Sequence, residues 1–389
     1  MRMKKKMNNA TICVHTGSYK DPNFPGINTP IFTSSAFDYR GEGPTAYPRY
    51  FNTPNQNAVV EKIKRLEYGE AGMIFSSGMA AITTALMSIL KPGDHIIFTK
   101  SIYGGTHYFI ESQLRRWEVD YTFVRSTELD ILTTALKKNT KAIYIESPSN
   151  PLLEIVDLGS VAAFAQQNNL ISLIDNTFAS PINQNPIKFG FDFVLHSGTK
   201  YLGGHSDITF GAAITSEIYH EGMYSSAINF GGSLDANTCY LIERSLKTLS
   251  LRVNHQNKNA LKIAQALDSH PEIEHVYYPG LSHHPGHEIA SRQMHGFGGM
   301  LAFELKNSNS DVDDYIGNLG LIQSAVSLGG VESTICSPAK TSHSKMSMQD
   351  REMAGISDNL LRLSVGIEDS QDLIDDLENA LGKTSTVVS

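Results

Sequence analysis

Between residues 73 and 196 short unbroken apolar runs recur, separated by longer stretches with a helical repeat. The runs MIF (73–75), HIIFT (95–99), YTFV (121–124), AIYIE (142–146), ISLID (171–175) and FVLH (193–196) predict strands buried on both faces. Stretches 78–91, 104–117, 127–138 and 157–168 predict the intervening helices. Continuous apolar strands alternating with amphipathic helices define an α/β chain whose central sheet is mostly parallel and covered on both faces. Upstream, a helix is expected from Thr53. Thr53 suits the N-cap, Pro54 the first turn and Gln56 a capping box, Val59, Ile63 and Leu66 form the buried stripe, and Gly69 is the stop. Downstream, a helix near 236–250 is followed by helices near 254–268 and 371–381, which flank the strand-like runs HVYYP, MLAFEL and LLRLSV. That change of pattern predicts a smaller α+β C-terminal domain.

Residues 1–52 have no such periodicity. PNFPGINTPIFTSS and GEGPTAYPRYFNTPN are rich in Pro, Gly, Thr and Asn and cannot build a core of their own, so this arm is expected to lie against something else, such as a neighbouring subunit. The expected division is therefore an arm at 1–52, a large α/β domain at 53–250 and a C-terminal domain at 251–389.

Composition narrows the function classes. A formal net charge of −8 over 389 residues gives no basic surplus for nucleic acid. No apolar run is long enough to span a bilayer, and the basic start MRMKKKMNNA lacks the apolar segment of a secretory signal. Cys13, Cys239 and Cys336 are odd in number and far apart. They make neither a disulfide framework nor a CxxC site, which fits a reducing cytoplasm. The polar tail KTSTVVS is expected to fray.

The stretch FDFVLHSGTKYLGGHSD carries the most chemistry. Lys200 follows a buried strand and the small residues Ser197, Gly198 and Thr199, which leave room for a bulky group and offer hydroxyls to a phosphate. A desolvated lysine has a lowered pKa and attacks aldehydes. SGTK alone reads equally as a surface lysine in a turn. Asp175 shifts the balance, because it ends a buried strand, where ligands of open α/β sheets bind. A carboxylate there can keep a pyridine nitrogen protonated. FSSGMAA at 75–81 runs from a strand through Ser76, Ser77 and Gly78 into a helix and offers free backbone N–H groups to an anion. Tyr103, at another strand end beside two glycines, can stack on a flat ring; taken alone it is also an ordinary half-buried tyrosine. Three other signals carry less. GEGPTA at 41–46 has the spacing of a dinucleotide loop but no strand before it, SGTK lacks the remainder of a phosphate loop, and His283, His284 and His287 in LSHHPGHE read as a solvated turn rather than a metal site.

Together DNTFASP and SGTKYLGGHSD make the chain resemble the Cys/Met-metabolism family of pyridoxal-phosphate (PLP) enzymes, over about residues 10–382. These are the cystathionine γ-lyases, γ-synthases and β-lyases and the methionine γ-lyases. The resemblance implies an aspartate-aminotransferase-like fold (type I), a cytoplasmic homotetramer built from two catalytic dimers, and no metal. It also implies residue roles. Lys200 would carry PLP as a Schiff base and shuttle protons. Asp175 would pair with the pyridinium nitrogen, and Tyr103 would stack on the ring and protonate the leaving sulfur. Gly78, Met79, Ser197 and Thr199 would hold the phosphate, with Tyr47 and Arg49 reaching across from the neighbouring subunit. Asn150 would lie near the ring, and Arg362 with Ser327 would bind the substrate carboxylate.

The implied reaction is a carbon–sulfur elimination on cystathionine, methionine or homocysteine. A γ-replacement on an activated homoserine ester, as in cystathionine γ-synthase, is the alternative. Two positions bear on substrate. Val326 stands where cystathionine γ-lyases and γ-synthases usually have Glu, where bacterial β-lyases often have Tyr, and where methionine γ-lyases and plant-type β-lyases have Val. Gly105 stands where methionine γ-lyases usually have Cys. The two clues point in opposite directions.

Overall fold

The computed structural model describes residues 7–40, 43–306, 312–342, 344 and 348–386. The basic start at 1–6, the pair Gly41–Glu42 within GEGPTA, and the last three residues of the tail lie outside the described residues.

Seven strands form the large sheet: β1 (Ala71–Phe75), β2 (His95–Thr99), β3 (Asp120–Val124), β4 (Thr140–Glu146), β5 (Ile171–Asp175), β6 (Phe193–Ser197) and β7 (Gly211–Thr215). Their order is β1-β7-β6-β5-β4-β2-β3. All pair in parallel except β7, which runs antiparallel to both β1 and β6. The C-terminal ends of β1, β2, β4, β5 and β6 therefore share one edge.

Alternation along each strand explains the unbroken apolar runs. Ile74, Ile97, Ile143, Ile145, Ile174 and Val194 face one core, against helices Pro54–Glu67, Leu158–Gln167 and Ala236–Leu246. Phe75, Phe98, Tyr144, Leu173, Phe193 and Leu195 face the other, against helices Gly78–Ile89, Gly104–Gln113 and Glu217–Phe230. Truncating a fully buried residue such as Ile174 to Ala would cost roughly 2–5 kcal/mol.

Five strands form the second sheet: β8 (Ile273–Tyr277), β9 (Met300–Leu305), β10 (Gln323–Ser324), β11 (Thr334–Cys336) and β12 (Leu360–Ser364), in the order β10-β11-β12-β9-β8. Helices Leu249–Asp268 and Ser370–Thr386 pack on it through Ile263, Leu267, Leu373 and Leu377.

Four local outcomes differ from the pattern reading. The capping box forms, with Gln56 Oε1 accepting from the Thr53 N–H at 3.1 Å, but the left-handed cap is Tyr68 (φ 65°) rather than Gly69. The helix expected near 236–250 is two helices that break at Lys247 and Thr248. The second of them begins at Leu249, so the 250/251 boundary falls in its first turn. Strand β7 and helix Glu217–Phe230 went unpredicted, as did helix Asn9–His15 in the arm. The arm helix exists because Ile12 and Cys13 enter the large core and buried Lys62 Nζ donates to the Cys13 carbonyl at 2.8 Å.

Candidate active site

The shared edge of the large sheet collects the expected residues. Asp175 is the last residue of β5 and is 5% exposed. Its Oδ1 accepts from the Thr177 N–H at 3.0 Å and from the Thr177 hydroxyl. Burial pushes its pKa up, while the two Thr177 bonds and the charge of His196 pull it down. Thr177 Oγ1 also accepts from the Ser197 N–H at 2.8 Å, which fixes the spacing between the end of β5 and the end of β6.

Lys200 follows β6, in the turn closed by the Gly203 N–H on the Gly198 carbonyl at 2.8 Å. Gly198 is required there, since a Cβ would fall 2.2 Å from the Phe210 ring. Lys200 Nζ donates to Ser327 Oγ at 3.0 Å. Burial, and then the positive charge of Arg362, hold its ammonium pKa below the usual lysine value. That raises the share of neutral, nucleophilic amine.

At the end of β1, Ser77 Oγ caps helix Gly78–Ile89 by accepting from the Ala80 N–H at 3.1 Å. Gly78 lies directly on Ser197: a Cβ at 78 would be 2.8 Å from Ser197 Cβ. The two expected phosphate holders thus touch because neither is bulky. The Thr199 hydroxyl is engaged with the Phe210 backbone, accepting from its N–H at 3.1 Å and donating to its carbonyl at 3.3 Å. Met79 Sδ lies 3.2 Å from where a Gly105 Cβ would be, which puts Met79 beside the Tyr103 loop.

From the second sheet, Arg362 in β12 reaches the same place. It is 4% exposed. Its Nη1 donates to Asn150 Oδ1 at 2.9 Å and its Nη2 to the Val326 carbonyl at 3.1 Å. Its Nε is buried without a hydrogen-bond partner. A buried guanidinium N–H left without a partner suits a carboxylate that enters the site. Tyr47 and Arg49 are the two expected residues that stay apart. Arg49 lies over the Tyr50 ring at 5.1 Å and donates to the Ile228 carbonyl at 2.6 Å.

The fit to PLP rests on these observations: a lysine with depressed pKa, a buried carboxylate at a strand end, and a cradle at Gly78 that any side chain would fill. Two groups escaped the sequence reading. Thr177 gave no signal beyond its place two residues after Asp175. Glu146 ends β4 as Asp175 ends β5, so the same strand-end signal was available for it. The histidine turn is built internally: buried His284 accepts from the Gly286 N–H at 3.0 Å and His287 Nδ1 bonds the Pro279 carbonyl at 2.8 Å. Among the described residues no cluster could hold a metal ion.

Fold and site together define a pyridoxal-phosphate-dependent enzyme of the aspartate-aminotransferase-like type. Sequence comparison agrees. The chain belongs to the Cys/Met metabolism PLP-dependent enzyme family, whose model matches residues 10–382. It is 42% identical to a cystathionine gamma-lyase of Bacillus subtilis over 382 residues, 97% of this chain and 99% of the relative. It is 43% identical to a cystathionine beta-lyase of Lactococcus lactis subsp. cremoris over 378 residues, 96% and 98% of the two chains. In structure it is similar to the cystathionine gamma synthase of Xanthomonas oryzae pv. oryzae in complex with cystathionine. That match has a TM-score of 0.94 and 38% identity and covers 98% of this chain and 100% of the other.

Proposed function

We propose that this protein is a carbon–sulfur lyase that eliminates a thiol from cystathionine, methionine or homocysteine and leaves a 2-oxo acid and ammonia. The observation that carries the reading is the meeting of Lys200, Ser327, Arg362 and Asn150, at the sheet edge where Asp175 ends β5. This supports an amine and a carboxylate-binding fork acting together, with Asp175 as the partner of a pyridine nitrogen.

When bound, PLP supplies an electron sink for the charge left on the substrate α-carbon. The chain's own residues do the rest. Arg362 receives the substrate carboxylate through donors not spent on Asn150 and Val326. That orients the α-hydrogen. Lys200 Nζ is the base for that proton, and Ser327 Oγ, its hydrogen-bond partner, steadies it. Asp175 would pair with the ring nitrogen and hold its proton there, while Thr177 holds Oδ1. The Tyr103 phenol donates to the departing sulfur. Gly78, Met79, Ser197 and Thr199 would hold the phosphate. Asn150 would lie near the ring, and it holds Arg362 in place.

The N-terminal arm exposes Phe24 (81%), Ile27 (88%) and Tyr39 (79%) on the single chain. Such residues at the surface of an arm without a core of its own support burial against another subunit. Our reading is a homotetramer made of two catalytic dimers, in which Tyr47 and Arg49 complete the partner's phosphate site. We read residues 53–250 as the PLP-binding domain and 251–389 as the C-terminal domain. Among the described residues no helix is long and apolar enough to cross a membrane. The three cysteines are free and buried, which supports a cytoplasmic location.

The test is a substrate panel on purified protein that reads 2-oxo acid and thiol release. Release from single sulfur amino acids supports the lyase. Turnover only with an acylated homoserine plus cysteine would replace it with the γ-replacement reading that the Xanthomonas likeness suggests.

A further inference from the structure

Parallel strands β4 and β5 are in register at their last residues, Glu146 opposite Asp175. Neighbouring strands lie about 4.8 Å apart, so the two carboxyl groups share one small volume. Each of the two residues is only 5% exposed. Their surroundings differ. Asp175 takes two hydrogen bonds from Thr177 and has His196 nearby. Glu146 has a single hydrogen bond, with Oε2 accepting from the Tyr103 backbone N–H at 2.6 Å. The other titratable groups that face it are Tyr144, two residues back on the same strand, and Asp175 itself. Among the described residues no cation pairs with it.

Two carboxylates this close in a buried setting do not both ionise. The proton settles on the acid with fewer donors. Burial and the neighbouring Asp175 charge drive the Glu146 pKa well above the usual carboxylate range, in line with the geometry.

The Tyr103 loop depends on this residue. Tyr103 is the N-cap of helix Gly104–Gln113 and makes no side-chain cap. Its ring lies over Gly105, where a Cβ would fall 2.5 Å from a ring carbon. Glu146 therefore holds the backbone from which the ring projects, and the bare Gly105 leaves room for the ring beside it.

We propose that Glu146 is a neutral acid and the positioning residue for Tyr103, which leaves Asp175 the only negative charge beneath the cofactor ring. The inference rests on the reading that Asp175 and Tyr103 flank PLP. A protonated carboxyl still accepts the Tyr103 N–H through its carbonyl oxygen, so glutamine can replace it and leucine cannot.

The experiment compares wild type, Glu146→Gln and Glu146→Leu as holoenzymes. At neutral pH the infrared spectrum of wild type should contain the C=O band of a protonated carboxyl that Glu146→Gln lacks. Glu146→Gln should keep a kcat at least about tenfold above Glu146→Leu, the worth of one hydrogen bond to a buried acceptor. Absence of the band in wild type, or a glutamine variant as impaired as the leucine one, overturns the proposal. If Glu146→Leu does not fold, the infrared comparison decides alone. Borohydride mapping of PLP on the same preparations separates the two ideas. Cofactor on a lysine other than Lys200 sinks the site reading, whereas a missing infrared band sinks only the role of Glu146.

Discussion

Arg362→Lys keeps the charge but removes the fork, and its cost can be worked from the donor count. A guanidinium has five N–H donors and an ammonium three. In the wild type one donor goes to Asn150 Oδ1 and one to the Val326 carbonyl. Three remain for a substrate carboxylate, among them the unpartnered Nε–H. A lysine that satisfied the same two partners would keep one. The variant thus loses one charge-assisted hydrogen bond, worth about 1.5–3 kcal/mol, or roughly 10- to 150-fold in kcat/KM. A carboxylate is bound alike in ground and transition states, so the loss should fall mainly on KM. Arg362→Leu also removes the charge, and kcat/KM should drop by about a thousandfold.

A second readout checks the same residue without turnover. The Arg362 charge, after burial, helps to hold the Lys200 pKa down. Removing it raises that pKa, so less neutral amine is present at a given pH. Recombination of the apoenzyme with PLP, followed by absorbance, should therefore reach its full rate only at higher pH in Arg362→Leu than in wild type. The assays are steady-state kinetics on cystathionine and methionine plus this pH–rate profile. Both variants within threefold of wild type in kcat/KM, with an unmoved profile, would show that the substrate carboxylate binds elsewhere.

Three further outcomes are expected. Borohydride should fix PLP on Lys200 by peptide mapping, and Lys200→Ala should abolish turnover while the circular dichroism spectrum is retained. Inactive Lys200→Ala and Arg49→Ala chains, co-refolded in equal amounts, should recover roughly a quarter of wild-type activity, because half the dimers are hybrid and each hybrid has one intact site; no recovery would remove Arg49 from the partner's site. Val326 is 70% exposed on the single chain, so a glutamate there would form a largely screened pair worth about 1 kcal/mol or less. Val326→Glu should then raise the cystathionine-to-methionine ratio of kcat/KM by up to about fivefold, and an unchanged ratio would mean that the position does not read the distal amino group.

The large sheet was legible because its strands are buried on both faces. Ile74 and Phe75, or Ile143 and Tyr144, point to opposite cores, and both must be apolar. Strand β7 was not, for a physical reason. Its sequence GAAIT has small residues where Ser77 and Gly78 crowd in: a Cβ on Gly211 would be 2.2 Å from the Ser77 carbonyl oxygen. Close packing beside the site removed the bulky residues that mark a strand. Helix Asn9–His15 was hidden likewise, since only Ile12 and Cys13 are buried and its anchor is the side chain of Lys62, 49 residues away from Cys13.

The site shows the same division. Lys200, Asp175 and Gly78 were legible because each sits at a strand end in a locally unusual context. What joins them is not local. Lys200 meets Ser327 across 127 positions, and Arg362 meets Asn150 across 212. Neither contact has a periodicity to betray it, and only the resemblance to known enzymes placed these residues at one site in advance. Glu146 is the instructive case. Read singly, a carboxylate that ends a buried strand is an N-cap or a functional charge. Read across the ladder, two such carboxylates at matched ends cannot both be charges, and their hydrogen-bond donors decide which one keeps its proton. Asp175 has the donors, and Glu146 has the backbone of Tyr103. The matched ends of β4 and β5 are thus told apart by their partners, two donors from Thr177 on Asp175 and the backbone N–H of Tyr103 on Glu146.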